Sequence, residues 1–297
     1  MKQKLEYFIV LFFIKIVKIM PISFTYKTMH FFGNIFYLLL KKRRELAEEN
    51  LSLAFSEKSK DEIKKLAHGN FIAISTTIAE ILLLISKKIK FEDFIEDEKS
   101  ALETYLNAAK NKKEGQGIIF ITAHFSNWEI LANYFAIKGF PMTIIGREGD
   151  NTFIEEKLTT PFREQFGNKN VHKGSAMTSM VKTLKSGGRV GILIDQKAGT
   201  QNSAKTTFFG RECTTTISVA TMKLKYDSLI IPAFALREKN KKFSFIIQEP
   251  VEYVADEYEN KQDKVRAMTQ KYNDIFEEVV KKYPEQWFWM HNRWKKY

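Results

Sequence analysis

From residue 117 onward the chain alternates short apolar runs with longer stretches of helical period. "GIIFITA" (117–123), "MTIIG" (142–146), "VGILID" (190–195) and "LIIPAFA" (229–235) are continuous apolar segments of strand length, rich in β-branched residues. Such runs suit strands buried on both faces. Helical stretches separate them, at about 127–138, 152–166, 174–187 and 214–226. "KKFSFIIQEP" adds a strand, and a long helix at about 260–283 precedes "WFWMHNRWK". Strands alternating with helices predict an α/β fold with a mostly parallel central sheet flanked by helices. Within that scheme Thr214, Thr215 and Thr216 are expected to open the helix after Gly210 as hydroxyl caps, with an anion site as the secondary reading.

The N-terminal part has a different pattern. "EYFIVLFFIKIVKIM" is mostly apolar, but Lys15 and Lys18 interrupt it before the roughly 20 residues a bilayer crossing needs are complete. "FFGNIFYLLL" then runs into "KKRR" at 41–44. Apolar segments flanked by lysine and arginine suit an anionic membrane face, so residues 1–45 are expected to form an apolar, membrane-associating helical segment. Two core helices of a soluble protein are the alternative. No small-residue cleavage site follows, which argues against a removable signal peptide. "RELAEENLSLAF" and the run 56–85 read as further helices, the second with Ser59 as N-cap and Asp61 and Glu62 in its first turn. No repeat or Pro/Ser-rich linker marks an independent second domain.

Charge narrows the partners. The 297 residues carry 47 Lys+Arg against 35 Asp+Glu, a net charge of +12. That excess implies an anionic partner: nucleic acid, phosphorylated lipid, an acidic protein or a membrane surface. Cys213 is the single cysteine, which forbids an internal disulfide. The chain has no P-loop, no dinucleotide glycine fingerprint and no metal-ligand spacing, so neither a metal nor an organic cofactor is predicted.

The densest chemistry lies in "ITAHFSNWEI" (121–130). A strand ending near Ala123 and a helix starting near Ser126 or Asn127 would put His124 in the loop and Glu129 in the first helical turn. The imidazole and carboxylate could then meet, and a carboxylate on one ring nitrogen makes the other a better base. A capping histidine beside a surface glutamate explains the same spacing without catalysis.

The ordered set "RRELAEENLSLAF", "AHFSNWE", "IGREGDN", "FREQFGN", "LIDQ", "FFGRECTTT" and "WFWMHNRWK" resembles the late acyltransferases of lipid A biosynthesis, the lauroyl/myristoyl acyltransferase family. These belong to the membrane acyltransferases with a His-x4-acid motif. "AHFSNWE" is similar to the family's His-Phe-Gly-Asn-Trp-Glu, with Ser126 in place of the usual glycine. Asn292 stands where the family often has arginine. Glu129, where glycerol-phosphate acyltransferases typically carry aspartate, favours the lipid A branch.

The resemblance implies an acyltransferase domain over 46–297 on the cytoplasmic face of the inner membrane. It would move a fatty acyl chain from acyl carrier protein to a hydroxyl of a phosphorylated glycolipid, the lipid A precursor, without nucleic acid as a partner. His124 would be the general base and Glu129 its orienting acid. Arg147 would suit a phosphate or the reacting carbonyl, and Asp195 at a strand end would orient the acceptor. Arg163 is a weaker candidate, its helical setting favouring a structural ion pair. Asn127 is counted with the substrate-binding set as part of the same motif. Lysophospholipid or phosphatidylinositol mannoside acceptors remain open, as does a non-catalytic basic membrane-binding protein. His291, Arg293 and Trp287, Trp289 and Trp294 read as an interfacial belt or ordinary packing rather than a nucleic-acid stacking surface.

Overall fold

The computed structural model describes residues 1–199 and 201–294. Its first half is helical: α1 (Lys2–Ile19), α2 (Ile22–Leu39), α3 (Lys41–Ala54), α4 (Lys60–Ile85) and α5 (Glu98–Ala109). The apolar runs that follow are strands, in the order β1 (Ile118–Thr122), α6 (Trp128–Ile137), β2 (Thr143–Gly146), α7 (Thr152–Ile154), α8 (Thr160–Glu164), β3 (Lys169–His172), α9 (Ala176–Lys185) and β4 (Arg189–Leu193). The chain ends through β5 (Ser203–Phe208), β6 (Arg211–Thr216), α10 (Ser218–Tyr226), β7 (Leu229–Arg237), β8 (Phe243–Ile247) and α11 (Lys261–Lys282).

Six strands form one sheet in the order β3-β2-β4-β1-β7-β8, parallel except for β8, which runs antiparallel to β7. One face packs Ile119, Ile121, Val190 and Ile192 against α9 and α11; the other packs Ile118, Phe120 and Ile231 with Ile130, Tyr134 and Phe135 of α6. The α/β architecture expected from the sequence is therefore present. β4 departs from the rule that a central parallel strand is buried on both faces: Val190 and Ile192 are buried, whereas Gly191 and Leu193, facing the other way, stay partly accessible.

One expectation is corrected. Thr214–Thr216 do not open a helix; they lie in β6, which pairs antiparallel with β5. The threonine run is β-branched, alternates in burial, and inserts Thr215 into the interior, so strand pairing wins over capping. β3 has no apolar run to announce it, being an edge strand with no fully buried position.

The N-terminal segment is a pair of helices lying over α4. α2 packs along α4, and α1 joins through Val17, which meets Tyr26, Ala79, Leu82 and Leu83 in a shared cluster. Among the described residues, the helix long and apolar enough to cross a membrane is α4 rather than α1 or α2, and 56% of its apolar window is buried inside the protein. α4 starts with the capping box expected at Ser59, completed by Glu62.

Candidate active site

β1 and β4 are neighbours in register, Thr122 opposite Leu193, so the residues just beyond them, His124 and Asp195, emerge together at the C-terminal edge of the sheet. Ligand sites in open parallel sheets form at this edge. Asp195 is buried, and its carboxylate is fully engaged. Oδ1 lies 2.9 Å from His124 Nδ1, and Oδ2 accepts from the His124 backbone N–H at 2.9 Å and from the Trp287 indole at 2.8 Å. Burial alone would raise this carboxyl; the imidazole beside it, with its hydrogen bonds and the nearby His291, instead holds it down at about 2. An ionised carboxylate only accepts, which places the proton of His124 on Nδ1 and leaves Nε2 with a lone pair. The His124 side chain is 26% exposed and lines a cavity.

The turn after His124 needs an unusual backbone. Ser126 has φ of +52°, the left-handed region that favours glycine, and its hydroxyl is buried without a partner. The glycine usual in the resembling motif suits this geometry. The turn is held from three sides. Thr77 Oγ1 donates to the Ser126 carbonyl at 3.1 Å, Asn127 Nδ2 to Glu80 Oε2 at 3.0 Å, and the Ser126 N–H to the Gln286 carbonyl at 2.6 Å. Glu80 is itself paired with Arg237 of β7 at 2.7 Å, deep in the interior. Asn127 is thus a buried strut beneath the turn and is not among the residues that line the cavity.

The C-terminal segment locks the His124 loop from below. Phe125 and Trp287 form an isolated antiparallel bridge, and the Phe288 N–H donates to the His124 carbonyl at 2.9 Å. Asn70 donates to the Glu285 and Trp287 carbonyls, and Asn50 to those of Trp289 and His291. Trp287, Trp289 and Arg293 are fully buried, so this aromatic segment is packing, as one of its two sequence readings expected.

Glu129 sits in the first turn of α6 and lines the same cavity as His124, but its partner is Arg163. Arg163 Nη2 lies 2.6 Å from Oε1 and Nε 3.0 Å from Oε2, with Nη1 reaching Asn170 at 3.3 Å. Burial would lower the guanidinium, but Glu129 and Glu155 raise it. The expected contact between His124 and Glu129 is therefore replaced by two pairs. The five-residue spacing puts both groups in one cavity, while the neighbouring strand and α8 supply the partners that claim them. The structural ion pair expected of Arg163 is present, with Glu129 as its partner, whereas Asp195, expected to orient the acceptor, is found holding His124; no local pattern links residues 71 and 34 positions apart.

The cavity, about 570 Å³, runs from His124 over the accessible face of β4. Phe120, Leu131, Met142 and Ile144 line its apolar floor; Arg147, Gln196 and Lys197 line polar parts of its wall. Arg147 is largely exposed and pairs with Asp150 at 2.8 Å. Among the described residues no cluster of three or more His, Cys, Asp or Glu side chains is arranged to hold a metal ion.

The sequence profile of the bacterial lipid A biosynthesis acyltransferases matches residues 1–296. The chain is 24% identical to the lipid A biosynthesis lauroyltransferase of Escherichia coli strain K12 over 269 residues, 89% of this chain and 82% of the relative. A lipid A biosynthesis acyltransferase of Haemophilus influenzae is 26% identical over 274 residues, 90% of this chain and 82% of its own. The lipid A biosynthesis palmitoleoyltransferase of Escherichia coli strain K12 is 24% identical over 263 residues, 86% and 80%. With the profile matching nearly the whole chain, this chain belongs to the bacterial lipid A biosynthesis acyltransferases.

Proposed function

We propose that this protein transfers a fatty acyl chain from an acyl carrier protein thioester to a hydroxyl of a lipid A precursor, with His124 as the general base. The observation that carries the reading is the imidazole held through Nδ1 by buried Asp195 while its ring lines an apolar-floored cavity. Nε2 takes the proton of the acceptor hydroxyl as its oxygen attacks the thioester carbonyl. The tetrahedral intermediate collapses, the C–S bond breaks, and the departing thiolate takes the proton back from the imidazolium. Asp195 fixes the tautomer and stabilises that imidazolium. Glu129 holds Arg163 at the cavity wall, and the Arg163 charge is assigned to steadying the developing oxyanion. Exposed Arg147 is the group assigned to an acceptor phosphate.

Membrane attachment belongs to the same reading. Leu5, Phe8 and Phe12 of α1 and Phe31 of α2 are each more than 60% exposed. Large apolar side chains left in water at near-helical spacing suit a helix lying in the interface, and the +12 charge suits anionic lipid and an acidic carrier protein. The direct test supplies purified protein with acyl carrier protein thioesters and, separately, a lipid A precursor, a lysophospholipid and a phosphatidylinositol mannoside, with products read by mass spectrometry. The proposal expects one added acyl chain on the lipid A precursor alone, lost in His124→Ala. Transfer that survives in His124→Ala, or that favours another acceptor, overturns it.

A further inference from the structure

We infer that Trp287 is a positioning residue of the reaction, tuning the basicity of His124 through Asp195. The inference rests on the reading of His124 as general base. Asp195 accepts three hydrogen bonds, two of them from His124 itself; the third comes from the Trp287 indole at 2.8 Å. Trp287 is fully buried and has one polar atom, so its N–H needs an acceptor there. Its ring is gripped by Phe208, Trp289 and His291, with centroids 5.3, 4.6 and 5.0 Å away. The ring does not line the cavity, so it has no means of touching a substrate. Packing alone would be served by phenylalanine; the indole N–H adds a donor to the carboxylate that holds the imidazole.

That donor has two physical effects. It pins the carboxylate so that Oδ1 faces His124 Nδ1, and it draws charge toward Oδ2, which weakens the stabilisation of a protonated His124. Removing it should make His124 a stronger base that is less well oriented. Other charged groups stand around the His124–Asp195 pair: Glu129 from α6, Arg163 from α8, Arg147 after β2 and Lys197 after β4 line the cavity with His124, and His291 and Arg293 from the C-terminal segment interact with Asp195. Trp287→Phe leaves all of these in place, so a change in titration belongs to the indole N–H.

The test compares the full-length parent, Trp287→Phe and Phe208→Leu. Phe208→Leu loosens the same aromatic cluster and keeps the N–H. In Trp287→Phe the acidic limb of the kcat/KM profile is expected to move up by about 0.5–1 pH unit. Its kcat should fall about tenfold with KM unchanged. The His124 ring, followed by ¹⁵N NMR, should titrate with the same upward shift, and Phe208→Leu should keep the parent midpoint. In the parent, the Trp287 indole proton resonance should titrate together with His124, a reading that needs no variant to fold. An indole signal that stays fixed while His124 titrates, or a limb that coincides with the parent or shifts equally in Phe208→Leu, overturns the inference. Full turnover in His124→Ala would defeat the general-base reading alone, since the NMR titration still reports the link between Trp287 and His124.

Discussion

Glu129 Oε1 lies 2.6 Å from Arg163 Nη2 and Oε2 lies 3.0 Å from Nε, a two-pronged ion pair in the wall of the cavity that His124 also lines. The glutamate of the His-x4-Glu motif therefore builds the cavity and presents a guanidinium, while the carboxylate that holds His124 comes from the end of β4. The motif brings the two groups to one site without joining them.

This arrangement separates structural from catalytic loss. The Glu129 and Arg163 side chains are only 12% and 17% exposed, so Glu129→Gln strands a cation in a poorly hydrated wall. Breaking such a pair from one side costs about 3–5 kcal/mol. Replacing both ends, as Glu129→Gln with Arg163→Met, should restore most of that stability in denaturant unfolding while turnover stays low. A single Glu129→Gln that unfolds like the parent, with only its pH profile moved, would return Glu129 to the role of orienting His124.

Under the proposed acyl transfer, chain-length preference is expected to depend on a glycine of the groove. Gly191 lies on the accessible face of β4, and a Cβ placed there would come 2.8 Å from Met142 Sδ at the apolar floor. Gly191→Ala should push Met142 into the space that a hydrocarbon tail would fill. Preference is then expected to move toward donors shorter by one or two methylenes, with about 10-fold or more loss of rate on the parent's best donor. Competition between acyl carrier proteins of different chain length, read by product mass, checks this. An unchanged product distribution would place the acyl chain elsewhere.

The order of strands and helices was legible because buried parallel strands are apolar without interruption, as in Ile118–Thr122 and Leu229–Leu236. β5 and β6 escaped because their burial comes from contacts distant in the chain, and β3 because an edge strand with no fully buried position carries no apolar run. Thr215, for example, is enclosed by Asn273 and Arg293. The candidate site followed the same division. His124 and Glu129 stood out through local spacing, and Asp195 through its place at a strand end. The pairing between them depends on β1 lying beside β4, which residue spacing along the chain does not encode. Trp287 looked like packing and is packing, but its one polar atom also reaches the carboxylate.

Ser126 carries two local costs at once. A non-glycine residue at φ of +52° forfeits about 1 kcal/mol, and a buried hydroxyl with no partner adds a comparable amount. The greater chain entropy of glycine in the unfolded state offsets part of this. Ser126→Gly should therefore stabilise the protein by about 1 kcal/mol, raising the melting temperature by about 2–4 °C. Calorimetry reads the change; a lower melting temperature would mean that the hydroxyl is satisfied in solution and that the turn tolerates serine.

Stability should fall with acid in two stages, because two buried groups bind protons less readily in the folded chain than in the unfolded one. Burial depresses His291 to about 4, from about 6.5 in an open chain. Between those values the unfolded chain takes up a proton that the folded chain refuses, so stability drops as pH falls through this window. Asp195, held at about 2 against about 3.9 unfolded, repeats the effect lower down. Its contribution is complete above pH ~4 and lost as pH falls toward 2, worth about 2 kcal/mol. Urea midpoints from pH 7 to 2.5 should show both declines. His291→Gln should flatten the upper one alone, since Gln does not titrate. If the upper decline persists unchanged in that variant, the proton uptake belongs to another group, with His30, whose imidazole is also depressed by burial and by Lys241 and Arg237, as the next to replace.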